Sequence, residues 1–195
     1  YFESEVITMS TISINILPRQ TITWNDFVET TPSRSIALDG MVSGGPKWDE
    51  DTLHVNFDHH DGVSREATMS TAMQVYFAIK AGLLKRFEGD PVEVYINDPD
   101  QDTALACWLL LHHKQFSGAQ SHPVISRLLT LNDRLDITAG AFPMSLDDKI
   151  VKQHAWVFAP YTDLRKSGEL SSAGEAVIRN TLFATFDRLD KLWLG

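Results

Sequence analysis

Acidic and imidazole side chains occur in this sequence at three points where a predicted strand ends. The groups are Asp39 alone, then Asp58 with His59 and His60, then Asp98 with Asp100 and Asp102. Carboxylate oxygens mixed with imidazole nitrogens suit Mn²⁺ or Mg²⁺, with Zn²⁺, Co²⁺ or Fe²⁺ as alternatives, and the lack of cysteine ligands argues against a structural zinc site. The residue types therefore predict a site for one or two divalent ions.

The third group, Asp98 with Asp100 and Asp102, concentrates the most negative charge in the shortest segment. In "INDPDQDTALA" three aspartates are spaced two apart at a turn from strand to helix, and Asp102 falls near the helix N-terminus. Carboxylates this close repel one another strongly unless cations neutralise them. Two ions that share a bridging carboxylate would generate a hydroxide and hold a phosphoryl group for in-line displacement. The spacing therefore favours a metal site that acts on phosphate.

The elements that must position these groups alternate between strand and helix signals. Predicted strands cover 11–17, 34–40, 52–58 and 91–98, and predicted helices cover 68–87 and 102–116. A short helix over "TWNDFVETTP" ends before Pro32, and the N-cap of the 68–87 helix lies among Thr68, Ser70 and Thr71. The Gly- and Pro-rich segment "GMVSGGPKWDED" is predicted to be a loop between the second and third strands.

This alternation predicts an α/β fold with a mostly parallel, Rossmann-like sheet, flanking helices and a helical C-terminal part. In such sheets ligands bind at the carboxyl ends of the strands, which is where the three groups lie. Residues 120–195 are mainly helical, and Val177, Phe183, Phe186, Leu189 and Trp193 are predicted to share one face, which could also form a homo-oligomer. The 195 residues predict a single domain, with residues 1–8 set aside as a terminal tail or cloning remnant.

Composition excludes several classes of partner. Seventeen basic and 26 acidic residues give a formal charge of −9, and no Lys/Arg cluster marks a groove for phosphate backbones, so long duplex nucleic acid is a poor partner. The apolar runs fall short of the roughly 18 residues that a membrane span needs. The single cysteine, Cys107, excludes an intramolecular disulfide and is expected in the core. We expect a cytoplasmic protein without membrane association.

The motifs around the second and third groups resemble those of the DHH phosphoesterase superfamily. "DHH" at a strand end, followed seven residues later by "TMSTAMQV", is similar to the Asp-His-His motif and the helix that follows it. "DPDQD" resembles the Asp-x-Asp-x-Asp motif of RecJ-like exonucleases in that superfamily, and together the motifs cover roughly residues 34–136. The two motifs occur here in the reverse of the family's order, which implies either a circular permutation that keeps the same site or a chance likeness.

The resemblance implies a role for each residue. His59 and the aspartates would bind metal, Asp39 as the bridging ligand, Asp58 either as a ligand or as an orienting group, and Asp133 as the last ligand with Asp136 as its alternative. His60 would contact the substrate phosphate. Apart from the resemblance, Lys47 or Arg65 could add a phosphate contact, and we predict His60 and Arg65 as the catalytic residues, stabilising charge on the phosphoryl oxygens. The predicted substrate-binding residues are His60, Arg65, Ser70 and Thr71. Ile96 replaces the leading histidine of the family's pyrophosphatases, which argues against that activity.

The function predicted from these features is a phosphoesterase that uses Mn²⁺ or Mg²⁺, one or two ions. Its substrate would be a small phosphorylated metabolite, a nucleotide or a short oligonucleotide. Two alternatives stay open, a catalytically inactive domain that binds nucleotide or phosphate for regulation, and a metal-dependent hydrolase of a non-phosphate bond. The other histidines, among them His112, His113, His122 and His154, are expected at helix ends, in packing or on the surface.

Overall fold

A five-stranded sheet forms the centre of the computed structural model, which describes residues 11–87 and 91–195. The strands are β1 (Ile12–Ile16), β2 (Ser35–Leu38), β3 (Lys47–Asp49), β4 (His54–Phe57) and β5 (Val92–Ile96). Their order in the sheet is β1-β5-β2-β4-β3. The first four are parallel, and β3 pairs antiparallel with β4 at one edge. The predicted terminal tail, 1–8, lies outside the described residues.

Helices pack against the sheet on both of its faces. They are α1 (Trp24–Thr30), α2 (Thr71–Lys80), α3 (Gln101–Leu111), α4 (His113–Phe116), α5 (Pro123–Ile137), α6 (Lys149–Val157), α7 (Ala159–Lys166) and α8 (Glu175–Leu194). Short 3₁₀ turns lie at Arg65–Ala67, Leu83–Phe87 and Glu169–Ser172. The prediction of an α/β fold with a mostly parallel sheet is therefore confirmed, and the chain after residue 120 is mainly helical, as expected.

The two faces of the sheet pack against different helices because side chains alternate along each strand. Ile36 and Leu38 of β2 join the large core cluster, together with residues of α2, α3, α5 and α8. Ala37 points to the opposite face, where it packs with Phe27 of α1. All four residues of β2 and of β4 are buried, as is typical of central strands in a parallel sheet.

Three local predictions were wrong in their bounds. The segment predicted as a Gly- and Pro-rich loop contains the edge strand β3. The helix predicted over 68–87 ends at Lys80, because Gly82 adopts a φ of 87° and turns the chain into a separate 3₁₀ turn. The helix predicted over 102–116 divides into α3 and α4 at His112.

The predicted apolar face of α8 is also corrected. Phe186 and Leu189 are buried, whereas Val177 and Phe183 are 40% and 54% exposed. The buried face instead contains Ile178, Thr181, Leu182, Thr185, Phe186 and Leu189. Their spacing of three and four residues follows the 3.6-residue helical period.

In the described ranges, no helix combines the length and the apolar character that crossing a bilayer would need.

Candidate metal centre

The carboxyl ends of three adjacent parallel strands bring the predicted acidic groups together. Asp39 follows β2, Asp58 follows β4 and Asp98 follows β5. Because β5, β2 and β4 are neighbours in the sheet and run in the same direction, these ends meet at one edge. The N-termini of α2 and α3 lie at the same edge, since each helix follows one of these strands. Their free N–H groups and positive dipole ends face the acidic residues.

Asp39 is fixed by both helices. Its side chain is buried, and it accepts hydrogen bonds from the Thr71 hydroxyl at 2.8 Å and from the Thr103 hydroxyl at 3.0 Å. Its backbone has a φ of 54°, in the left-handed region that few residues other than glycine, asparagine and aspartate adopt. The Asp39 carboxylate is therefore held in one orientation at the centre of the sheet edge.

His59 is fully buried, and neither of its ring nitrogens has a hydrogen-bond partner among the described residues. Its Nε2 lies 2.8 Å from Oδ2 of Asp136 and 3.7 Å from Oδ1 of Asp39. The contact with Asp136 is short, but it lacks hydrogen-bond geometry, and Asp136 Oδ2 is likewise a buried atom without a partner. Two ligand atoms that converge on a common point have this kind of geometry.

Asp102 supplies a third buried atom of the same kind. Its Oδ1 accepts hydrogen bonds from the Ala72 backbone N–H at 3.1 Å and from the Asn132 amide at 2.9 Å, while its Oδ2 has no partner within the described part of the chain. Asn132 in turn accepts from His154 Nε2 at 3.2 Å. One oxygen of Asp102 is thus used for orientation and the other is left available.

These atoms form two overlapping sets of potential ligands. His59, Asp102 and Asp136 make one set, and Asp39, His59 and His60 make the other, with the ligand atoms of each set within 4.8 Å of one another. Opposite ligands of an octahedral ion bound at about 2.1 Å are about 4.2 Å apart. Both sets are therefore close to the dimensions of a coordination sphere, and His59 is common to both.

Asp58 and His60 form a pair beside these sets. The Asp58 carboxylate accepts from the backbone N–H groups of His59 and His60 at 2.7 and 3.0 Å, and its Oδ1 lies 2.8 Å from His60 Nδ1. The hydrogen bond from Asp58 raises the pKa of His60 above its usual value. Because Oδ1 of Asp58 already has three donors, this geometry favours the orienting role for Asp58 over that of a ligand.

The electrostatics of the centre disfavour several negative charges at once. Burial raises the pKa of Asp39 well above its usual value, and the nearby charges of Asp100, Asp102 and Asp136 raise it further. Burial and the charges of Asp136 and Asp100 do the same to the pKa of Asp102. For Asp98, burial and the charge of Asp100 raise the pKa to about 6. A divalent cation would stabilise the ionised carboxylates.

The remaining predicted residues lie nearby but differ in position. Asp100 caps α3 by accepting from the Thr103 N–H at 2.8 Å, and Asp133 accepts from the Ser70 N–H at 2.8 Å. Of the two alternatives for the last ligand, Asp136 approaches His59 and Asp133 does not. Ser70 and Thr71 are buried and position other groups, so their burial does not support a direct contact with substrate. Arg65 lies at the rim, with Nη1 3.4 Å from the Asp136 carbonyl oxygen.

Sequence reasoning missed the groups that hold the acidic residues in place. Thr103, in the first turn of α3, donates to Asp39. Asn132 precedes Asp133 in "LND", and no pattern distinguishes it from an ordinary helix residue. Asp136 was included as the alternative, and its spacing of three from Asp133 could not decide between them, because the rotation of α5 about its axis depends on packing.

A cavity of about 480 Å³ opens onto this centre. Asp100, Asp102 and Asp136 line it, together with residues of α7. Comparisons with protein-family models, curated proteins and solved structures give no match for this chain. The geometry of the site indicates its chemistry: buried carboxylate and imidazole atoms without hydrogen-bond partners among the described residues lie beside a cavity large enough for a small ligand.

Proposed function

We propose that this chain is a divalent-metal-dependent phosphoesterase that hydrolyses a small phosphorylated metabolite, a nucleotide or a short oligonucleotide. The observation that carries the proposal is the contact between His59 Nε2 and Asp136 Oδ2, which are buried 2.8 Å apart without a hydrogen bond, next to the unpartnered Oδ2 of Asp102. Three such atoms in one place indicate a common ligand.

The energetic cost of these unpartnered, mutually repelling atoms favours a cation as that ligand. Each buried polar atom left without a partner costs about 1–3 kcal/mol, and more if it is charged. A neutral ligand or a water molecule could satisfy one of these atoms but would not reduce the repulsion among Asp39, Asp102 and Asp136. A divalent cation does both. Oxygen ligands with one or two imidazoles fit Mn²⁺ or Mg²⁺, as one or two ions.

The residues have distinct roles in the proposed mechanism. Asp39, His59, Asp102 and Asp136 would hold the metal, and Asn132 would orient Asp102. When bound, a divalent ion would lower the pKa of a water molecule that it coordinates, and it would neutralise negative charge on the phosphoryl oxygens. His60, whose pKa is raised by Asp58, is suited to contact a phosphoryl oxygen as a cation. Arg65, at the same rim, would add a second positive charge.

The scaffold also supports a Rossmann-like assignment and the DHH-type resemblance. Helices lie on both faces of a mostly parallel sheet, and the acidic groups collect at its carboxyl edge. Residues of both motifs, His59 and Asp102, contribute to one ligand set although the motifs are far apart in sequence. Within this proposal Asp136, and not Asp133, is the last ligand.

The first test is the metal content of the purified protein, measured by inductively coupled plasma mass spectrometry after incubation with Mn²⁺. We expect one or two equivalents in the wild type and a loss in His59→Ala. The matched control is His122→Ala, because His122 is partly exposed and packs against Phe116, away from the sheet edge. Equal metal content in the wild type and in His59→Ala would contradict the proposed site.

Turnover distinguishes the enzyme from a binding module. We expect Mn²⁺-dependent hydrolysis of bis(p-nitrophenyl) phosphate by the wild type and by His122→Ala, and none by His59→Ala. Metal binding without turnover of this or other phosphoesters would contradict the phosphoesterase and would favour a regulatory domain that binds phosphate.

A further inference from the structure

Positive side chains line the same cavity as part of the acidic centre. Arg165 and Lys166, at the end of α7, line it together with Asp100, Asp102 and Asp136. This position is notable in a chain whose formal charge is −9. Both side chains are exposed, and none of the described carboxylates forms an ion pair with either. Their charges are therefore available to a ligand.

A second cavity of about 660 Å³ adjoins the first. The two cavities share five residues: Gln101, Asp136, Thr162, Arg165 and Lys166. Arg65 lines the second cavity as well, so that three cations lie along it. Part of its wall is apolar, from Leu135, Met144 and Val151. A ligand that spans both cavities would pass from the acidic centre, along the cations, to an apolar surface.

From this arrangement we propose that α7 forms an anion subsite, in which Arg165 and Lys166 bind a second phosphate group of the substrate. The inference rests on the proposed function, because the first phosphate is the one at the metal centre. The substrate class is then narrower than phosphoesters in general: a compound with two phosphate groups and a less polar part, such as a nucleoside diphosphate.

The separation of charge supports this assignment. Carboxylates suit metal ions, while guanidinium and ammonium groups suit phosphate oxygens, and here both kinds line one cavity but come from different elements, the cations from α7 and the carboxylates from residues at or near α3 and α5. Arg165 can make paired hydrogen bonds to phosphate, and Lys166 adds a flexible point charge. Tyr161 and Thr162 on the same helix also line the first cavity and provide hydroxyl groups.

Acidic groups near α7 partly neutralise the positive charge of Arg165 and Lys166. Burial and the charge of Asp100 raise the pKa of Asp98, and the charge of Arg165 partly offsets that rise, so part of the Arg165 field is directed at that carboxyl. Asp163 lines the second cavity from the same helix. The double replacement of Arg165 and Lys166 should nevertheless remove most of the attraction, because Asp98 and Asp163 remain and oppose a phosphate.

The test compares ligands that have one or two phosphates. Dissociation constants for AMP and for α,β-methylene-ADP, which resists hydrolysis, are measured by calorimetry on the full chain with saturating Mn²⁺. The variant is Arg165→Ala/Lys166→Ala. The matched control is Arg179→Ala/Lys191→Ala, which removes the same charge from exposed positions of α8 that pair only with Glu175 and Asp187 among the described acidic residues.

We expect the wild type and the control to bind the diphosphate analogue more tightly than AMP. In Arg165→Ala/Lys166→Ala the affinity for the diphosphate analogue should fall roughly tenfold or more, with a smaller change for AMP, because two charge-assisted contacts are lost. Circular dichroism would show that the variant is folded.

Three results would overturn the subsite: an unchanged preference in the double variant, an equal loss in the control, or no binding of the analogue by the wild type at millimolar concentration. Failure of the proposed function has a different signature, which is the absence of bis(p-nitrophenyl) phosphate turnover in the wild type. A folded enzyme that hydrolyses this substrate but keeps its diphosphate preference without Arg165 and Lys166 would contradict the subsite alone.

Discussion

The Asp39 carboxylate suits the proposed metal centre but destabilises the metal-free protein. It is buried and close to other acids, which raises its pKa well above the usual value. Its carboxylate is nonetheless held firmly by Thr71 and Thr103. A buried acid kept in this way destabilises the metal-free protein at neutral pH and becomes favourable only when a cation is bound.

We therefore predict that Asp39→Asn stabilises the metal-free protein while it weakens metal binding. Asparagine is nearly isosteric, tolerates the positive φ, and can still accept from one of the two threonine hydroxyls. In EDTA at pH 7.5 the free energy of unfolding should increase by about 1–3 kcal/mol, measured by urea denaturation. The control Asp163→Asn, at an exposed position, should change it by less than about 0.5 kcal/mol. A less stable Asp39→Asn protein would contradict this account.

His154 makes a different contribution because it is buried without a charge partner. Its ring packs against Phe158 and its Nε2 donates to Asn132, and burial lowers its pKa to about 4. In the unfolded chain the pKa is about 6.5. Protonation thus favours the unfolded state. The stability that neutral His154 contributes is complete above pH 6.5 and is lost as the pH falls toward 4.

The corresponding prediction is that His154→Gln reduces the acid sensitivity of the metal-free protein. Glutamine does not titrate and can also donate to Asn132, so the wild-type loss of up to about 1.4 kcal/mol per pH unit between 6.5 and 4 should become smaller. Thermal unfolding of both proteins at pH 7.5, 6.0 and 4.5 measures how their stability depends on pH. His122→Gln should follow the wild type. Parallel curves for the wild type and His154→Gln would contradict a buried neutral imidazole.

Among the elements, the N-termini of α2 and α3 matter most to the site. Ser70 caps α2, and Asp100 caps α3. Thr71 and Ala72 of α2, and Thr103 of α3, donate to the acidic residues, so both helices hold the carboxylates while their dipoles stabilise negative charge. The two helices therefore provide the hydrogen-bond donors and the positive dipole ends that hold the carboxylates of Asp39 and Asp102.

The elements show how far the sequence could predict the fold. Local patterns located four strands: β2 and β4 are fully buried in the parallel sheet, and β1 and β5 carry β-branched residues at alternate positions. The short edge strand β3 was missed, since only its pairing with β4 distinguishes it from a loop. The α8 face was misassigned because several faces of that helix carry apolar residues, and packing decides which one is buried.

Two substitutions on adjacent residues of α8 test the corrected face. Leu182 is 2% exposed and Phe183 is 54% exposed. We predict that Leu182→Ala lowers the free energy of unfolding by about 2–5 kcal/mol, because it leaves a cavity in the core. Phe183→Ala should change it by less than about 1 kcal/mol. Urea denaturation of both proteins measures the two free energies of unfolding. A larger effect at Phe183 would mean that the face predicted from the sequence is buried after all, or that it is covered in a homo-oligomer. Sedimentation velocity would detect the homo-oligomer.

At the scale of the whole molecule, the site depends on residues spread over most of the chain. The strand-end positions Asp39, His59 and Asp102 could be predicted, since the carboxyl edge of a parallel sheet is a general binding location. Asn132, Arg165 and Lys166 could not, because they reach the site from helices whose docking on the sheet depends on the packing of the complete core. Local patterns do not specify how α5 and α7 are placed.

Because the proposed ligands follow β2 and β4 or lie on α3 and α5, a bound metal should stabilise the whole fold. We predict that Mn²⁺ at 100 times its dissociation constant stabilises the wild type by about 2.7 kcal/mol, which for a chain of this size raises the Tm by roughly 5–10 °C. Differential scanning calorimetry with and without Mn²⁺ measures the shift. His122→Ala should show the same increase and His59→Ala little or none, since removing the shared ligand disables both sets. An equal increase in His59→Ala would mean that Mn²⁺ binds elsewhere, for example at exposed carboxylates, and that the buried acids at the sheet edge do not form the metal centre.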